Sequence, residues 1–126
     1  MKKIISTPDA PKAVGPYSQA VEAGSTVYVS GEIPVVPADG SIPEGIEEQT
    51  TQSLKNVGAI LRAAGLDYCD VVKTTVLLAD IADFKAMNGV YAGFFTENQP
   101  ARACYQVAAL PLGVKVEIEA IAVRTK

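Results

Sequence analysis

Apolar positions recur along the chain with two different periods. Between Ile46 and Ala64 the residues Leu54, Val57, Gly58, Leu61 and Ala64 follow at spacings of three and four, which puts them on one face of a helix. Glu44, Glu47 and Glu48 suit the N-terminus of that helix, and Gly65 followed by Leu66 predicts a left-handed C-terminal cap with its apolar contact. A second helix is predicted after Asp80 as N-cap, with Asp83 in its first turn, burying Phe84, Met87, Tyr91 and Phe94 or Phe95. Gly89 and Gly93 weaken it, each by roughly 1 kcal/mol relative to Ala, unless another element packs closely there.

Segments rich in Val, Ile, Thr and Tyr read as strands: Thr26 to Ser30, Val71 to Ala79, Ala101 to Ala108 and Val114 to Val123, with shorter ones through Ile4-Ile5 and Gln19 to Glu22. Pro34 to Gly45 reads as a long loop. The order β-β-β-α-β-α-β-β implies an α+β fold with both helices on one face of a mixed sheet. In the last strand Val114, Val116, Ile118, Ala120 and Ala122 alternate with Lys115, Glu117, Glu119, Ile121 and Val123, so the second face also carries branched apolar residues. Such a face suggests burial between copies, a half-apolar solvated sheet being the ordinary alternative.

Composition narrows the setting. The 126 residues fit one domain, 1–126, and 48% apolar against 20% charged residues suit a soluble globular chain. Met1-Lys2-Lys3-Ile4-Ile5 opens like a signal peptide, but Ser6-Thr7-Pro8-Asp9 ends the apolar stretch at once, and no run approaches the length that crosses a bilayer. Only Cys69 and Cys104 are present, so a reducing cytoplasm is the expected location. A net charge of -3 argues against a nucleic-acid partner.

The absence of histidine excludes Ser-His-Asp and Cys-His sites and the usual zinc constellations, and no glycine-rich phosphate loop occurs. What remains is a polar cluster near the last two strands. If Leu110-Pro111-Leu112-Gly113 closes a tight hairpin with Ala109 opposite Val114, then Arg102, Cys104, Glu117 and Glu119 share one sheet face. The planar fork of Arg102 matches a small carboxylate, the alternative being an internal ion pair with Glu117 or Glu119. Glu117 could orient a water, or be an ordinary solvated strand carboxylate. Cys104, without a base beside it, reads as a packing residue. Tyr17, in the turn Gly15-Pro16-Tyr17-Ser18-Gln19, is a loop anchor or a phenolic donor at a cleft; Ser30-Gly31 is a strand end where a ligand could approach the backbone closely, or a plain terminus.

Several segments in order, APKAVGPYSQAV (10–21), VYVSGEIPV (27–35), QSLKNVGAILRAAG (52–65), VVKTTVLLADIADFKAMN (71–88), PARAC (100–104) and VEIEAIAV (116–123), make the chain resemble the reactive intermediate deaminase A family, also described as 2-iminobutanoate/2-iminopropanoate deaminases. The resemblance implies a chorismate-mutase-like fold: a mostly antiparallel six-stranded sheet, two helices on one face, and a homotrimer with clefts between subunits. It implies that Arg102 holds the substrate carboxylate, that Glu117 positions the hydrolytic water, and that Tyr17, Ser30, Gly31, Asn88 and Cys104 line the pocket. The implied substrates are small imines and enamines such as 2-aminoacrylate and 2-aminocrotonate, released by pyridoxal-phosphate dehydratases and hydrolysed to 2-oxo acids and ammonium without metal or cofactor. Ala103, Tyr105, Gln106 and Ala109 depart from the common family pattern and bear on substrate range. Two rival readings are a non-catalytic protein that senses 2-oxo acids in the same pocket, and a chaperone-like or ribonuclease activity, against which the acidic balance and missing histidine speak.

Overall fold

The alternating segments assemble into one six-stranded sheet in the order β1-β2-β3-β6-β4-β5, and the two segments of helical period lie together on one of its faces. The structure, a computed structural model, describes residues 1–125. Its elements are β1 (Lys2–Ile5), β2 (Ala20–Ala23), β3 (Thr26–Glu32), α1 (Ile46–Ala63), β4 (Val71–Leu78), α2 (Phe84–Phe94), β5 (Ala101–Gln106) and β6 (Val116–Val123). The expected element order is therefore the observed one, with Pro34 to Gly45 as the loop before α1. All neighbouring strands run antiparallel except β4 and β5, which are parallel and joined across the sheet by α2.

The covered face is apolar for the reason the alternation gave. Val76, Leu78, Val116 and Ile118 are fully buried, and Leu54, Val57, Ile60 and Leu61 of α1 and Met87 of α2 close over them. Each such side chain contributes about 1.5–3 kcal/mol relative to exposure. The end of α1 follows the expected cap: Gly65 has φ 78°, its N–H donates to Arg62 O at 2.9 Å, and Leu66 N–H reaches Leu61 O at 2.8 Å. Gly58 is glycine for a steric reason, since a Cβ there would collide with the Tyr68 hydroxyl, which donates to Leu54 O at 2.7 Å.

Two expectations are corrected. Asp80 caps a short 3₁₀ turn, Ile81–Asp83, by accepting from Ala82 N–H at 2.9 Å, and α2 itself begins at Phe84, which stays partly exposed while Met87, Tyr91 and Phe95 are buried. Among the described residues no element packs against Gly89 or Gly93, and nothing there calls for glycine.

The larger correction concerns β5 and β6, which do not form a hairpin. The segment between them is too long for a tight connection, and it crosses the end of β4, where Val107 N–H donates to Leu78 O at 2.9 Å. β6, with its even-numbered positions buried, takes a central place, and the less buried β5 takes the edge. Pro111–Gly113 is a turn as expected, with Leu112 and Gly113 at φ 58° and 67°.

Candidate active site

The new register separates the residues that the hairpin would have brought together. Thr74 of β4 stands opposite Arg102 on one side and Ala120 on the other, and Val76 stands between Cys104 and Ile118, so Arg102 and Cys104 belong to the helix-covered face. Leu77 stands between Tyr105 and Glu117, and Thr75 between Ala103 and Glu119, so both glutamates belong to the open face. With β4 inserted between them, the even positions of β5 align through β4 with the even positions of β6, not with Glu117 and Glu119 as a direct hairpin predicts.

Arg102 is held from α2. Its Nη1 donates to Asn88 Oδ1 at 2.7 Å, and its guanidinium carbon lies 4.8 Å from the Tyr91 ring centre and 5.5 Å from that of Phe84. Neither Glu117 nor Glu119 pairs with it; the ion pairs among the described residues are Arg62–Asp67 and Arg124–Glu22. Arg102, Asn88, Tyr91, Ala92, Phe95, Gln99 and Pro100 line an open cavity of about 340 Å³, in which the remaining guanidinium N–H groups have no partner among the described residues. Such a fork suits a carboxylate. Burial pushes the Cys104 thiol up, although the Arg102 charge opposes this, which suits a neutral packing sulfur.

Glu117, Gly31 and Tyr17 form a second group. Where β3 shifts register against β6 between Val29 and Glu32, the Glu117 carboxyl lies over Gly31, and a Cβ on that glycine would run into it. Burial, then the neighbouring Glu119 charge, raises the Glu117 carboxyl above its ordinary value, so it is a better proton acceptor than a solvated glutamate. Tyr17 is exposed, its hydroxyl only loosely reached by Val14 N–H at 3.4 Å, and its ring lines a cavity of about 430 Å³ together with Gly31. The Ser30 hydroxyl donates to Ser18 O, tying β3 to the Tyr17 turn.

Two further residues shape this second group. Gln19, buried, staples the N-terminal segment by donating to Pro11 O at 2.8 Å and accepting from Thr7 N–H at 2.7 Å. Glu32 lines the same cavity as Tyr17 and Gly31 but is only 5% exposed, and burial, then the Glu117 charge, pushes its carboxyl up to about 8. A charge inside the otherwise uncharged run Val27–Pro34 was the available signal. Among the described residues no group of three or more Cys, Asp or Glu side chains is placed to hold a metal.

Comparison with known proteins decides the family. The model of the family described as endoribonuclease L-PSP matches residues 7–124. The chain is 55% identical, over 98% of its own length and 93% of the relative's, to the 2-iminobutanoate/2-iminopropanoate deaminase of Mus musculus, and 54% identical, over 96% and 65%, to the chloroplastic Reactive Intermediate Deaminase A of Arabidopsis thaliana. The chain belongs to the reactive intermediate deaminase A family. Solved structures of such proteins superpose closely: Escherichia coli TdcF with bound serine at a TM-score of 0.94, 53% identity and coverage of 98% and 99%, and RidA of Psychrobacter sp. PAMC 21119 at 0.94, 47%, 97% and 99%. The six-stranded sheet with two helices on one face is thus the reactive intermediate deaminase A fold.

Proposed function

We propose that the protein is a 2-iminobutanoate/2-iminopropanoate deaminase, which hydrolyses reactive imines and their enamine tautomers, 2-aminoacrylate and 2-aminocrotonate among them, to 2-oxo acids and ammonium. The observation that carries this reading is the Arg102 guanidinium, fixed on one edge by Asn88 and presenting the rest of its fork to a cavity, beside relatives that bear the deaminase name. Serine, bound in the solved TdcF structure, carries the carboxylate that such a fork fits. In this mechanism Arg102 holds the substrate carboxylate, with Tyr17, Ser30, Gly31, Asn88 and Cys104 around it, and Glu117 holds a water. The water oxygen bonds to the carbon of the protonated imine while Glu117 takes one water proton, giving a carbinolamine. Glu117 returns that proton to the nitrogen, and as the C–N bond breaks and the carbonyl forms, the hydroxyl proton passes by way of Glu117 to the departing ammonia, which leaves as ammonium. Imines of this kind already hydrolyse in water, so each 1.36 kcal/mol of barrier lowered gives a tenfold gain, and positioning of anion and water supplies it.

Within one chain the sheet stands between Arg102 and Glu117, so the reading requires that neighbouring copies complete one another's sites. A homotrimer of heterologous contacts does this, each interface joining the Arg102 group of one subunit to the Glu117 group of the next. The open face supports it. Ile4, Val21, Tyr28 and Ile121 stand in one ladder row across it, with Ile4 and Tyr28 about half exposed. The pyridoxal-phosphate dehydratases that release such enamines would supply the substrate, and the two unpaired cysteines suit a cytoplasmic setting.

The test generates 2-iminobutanoate in situ and follows 2-oxobutanoate release by wild-type protein, by Arg102→Ala, by Glu117→Gln, and by the two variants refolded together. Each variant alone should lose about a hundredfold or more in rate, near 2.7 kcal/mol. The mixture should recover about a quarter of the wild-type sites, because a random cyclic assembly pairs an intact Arg102 with an intact Glu117 that often. No recovery would refute the shared site, and no acceleration by the wild type would move the reading to a protein that senses 2-oxo acids.

A further inference from the structure

We infer that Tyr91, clamped by Thr74, is a positioning residue that holds the Arg102 guanidinium in the plane that receives a substrate carboxylate. The inference rests on the reading of Arg102 as carboxylate anchor and adds what gives that anchor its direction. Arg102 lies on an edge strand and reaches towards α2, where a long flexible side chain would sample many rotamers before meeting a ligand. One hydrogen bond, to Asn88, fixes one nitrogen but leaves the plane free to turn about that contact. The second constraint is the Tyr91 ring face, 4.8 Å from the guanidinium carbon.

That ring is itself immobile. Tyr91 is 7% exposed and Thr74 1%, and their hydroxyls share a hydrogen bond of 2.6 Å in the interior. Thr74 is the ladder partner of Arg102, so the path from β4 through its hydroxyl to Tyr91 on α2, and from the ring back to β5, closes on itself. Burial also raises the Tyr91 phenol, which therefore stays protonated and keeps its bond to Thr74. The ring of Phe84, 5.5 Å from the same guanidinium, is partly exposed and lacks any such anchor. The pairing of Tyr and Thr at these two positions is thus more than core filling: a Phe–Val pair would occupy nearly the same volume without locking the ring.

The experiment measures kcat and KM with 2-iminobutanoate made in situ, and the Kd of 2-oxobutanoate and of its neutral amide, for Tyr91→Leu, Tyr91→Phe, Thr74→Val, the Phe/Val double variant and Arg102→Ala. Tyr91→Leu should raise KM and the 2-oxobutanoate Kd together by about 5- to 30-fold, the range of one desolvated cation–π contact, with kcat within about twofold. Tyr91→Phe keeps the ring and should cost about two- to fivefold; Thr74→Val should match it, and the double variant should be no worse than either. The amide, without a carboxylate, should bind all the Tyr91 and Thr74 variants alike, which loss of general packing would not achieve. An unchanged 2-oxobutanoate Kd in folded Tyr91→Leu, or equal losses for acid and amide, would overturn the inference. Should Tyr91→Leu fail to fold, additive losses in the Phe/Val double variant, or none in either single variant, would overturn it as well. If Arg102→Ala itself leaves KM and Kd unchanged, the anchor reading falls, and this inference with it.

Discussion

The two faces of the sheet are made from the same strands, residue by residue in alternation, yet they are finished to different degrees. On the covered face Thr74, Val76, Ile118 and Ala120 lie beneath the helices with almost no exposed surface, and Arg102 reaches its ring and amide partners from there. On the open face Tyr28 and Tyr105 are each 50% exposed, Ile121 is half-buried, and the Glu117 carboxyl rests on a glycine. The anchor half of the proposed site is thus complete within a chain, while the water-holding half faces a surface that only another molecule can close. If the proposed trimer forms, such a sheet specifies its fold with one face and its assembly with the other.

The sharpest way to break that comparison is to change two residues of β6 that differ only in face. Ile118→Ala removes a fully buried side chain and should cost about 2–5 kcal/mol, read as a lower urea midpoint at unchanged slope. Ile121→Lys, three residues on, should leave the far-ultraviolet circular dichroism intact and shift sedimentation from the proposed trimer towards smaller species. Wild-type sedimentation of Ile121→Lys would count against the open face as an interface.

This contrast also shows how much was legible beforehand. The element order, the face of α1, the Gly65 cap and the alternation of Val116 to Val123 all follow from local period and composition, because each element buries one stripe or one face. The partner of each strand does not, since pairing depends on which segments meet in three dimensions. So the hairpin between Ala109 and Val114 was a fair local reading that the insertion of β4 overrode, and with it the shared face of Arg102 and Glu117. The residue types for anion holding were visible in the chain. Local pattern does not group them; the family resemblance implies one pocket for Arg102, Asn88, Gly31 and Glu117, while the contact of Arg102 with Tyr91 and the split of the pocket between two faces came only with the register and the α2 crossover.

Glu32 is the exception on the finished side and gives the next largest effect. Its ladder partner is Ile118, so it belongs to the covered face, while Glu117 acts on it from β6 and Lys12 and Tyr17 share its cavity. Burial, then the Glu117 charge, raises its carboxyl from 4.5 to about 8. Between those values the folded chain keeps a proton that the unfolded chain releases. Stability is therefore fully retained below about pH 4.5 and falls as pH rises towards about 8, after which the loss is complete. Glu32→Gln, which cannot ionise, should be more stable than wild type by up to about 3 kcal/mol at pH 7, with no gain at pH 4. Urea midpoints from pH 4 to pH 9 check this, and a gain independent of pH would refute the ionisation argument.

The smallest effect tests whether α2 is also an unfinished surface. Gly89 and Gly93 are exposed, one helical turn apart, and a Cβ on either would meet nothing within 4 Å. In a helix whose outer side stays in water, alanine at each position should stabilise by about 0.5–1 kcal/mol, since glycine surrenders more backbone freedom on folding. In a helix whose outer side lies closely against another subunit, the same methyl groups would meet a neighbour and weaken the assembly. Thermal unfolding and sedimentation of Gly89→Ala and Gly93→Ala separate the two cases. In the proposed trimer the neighbouring Glu117 group meets the Arg102 cavity, which Asn88, Tyr91 and Ala92 line and Gly89 and Gly93 do not, so we expect a higher Tm with unchanged sedimentation. A loss of assembly would mean that the neighbouring subunit extends beyond the cavity rim onto the outer side of α2.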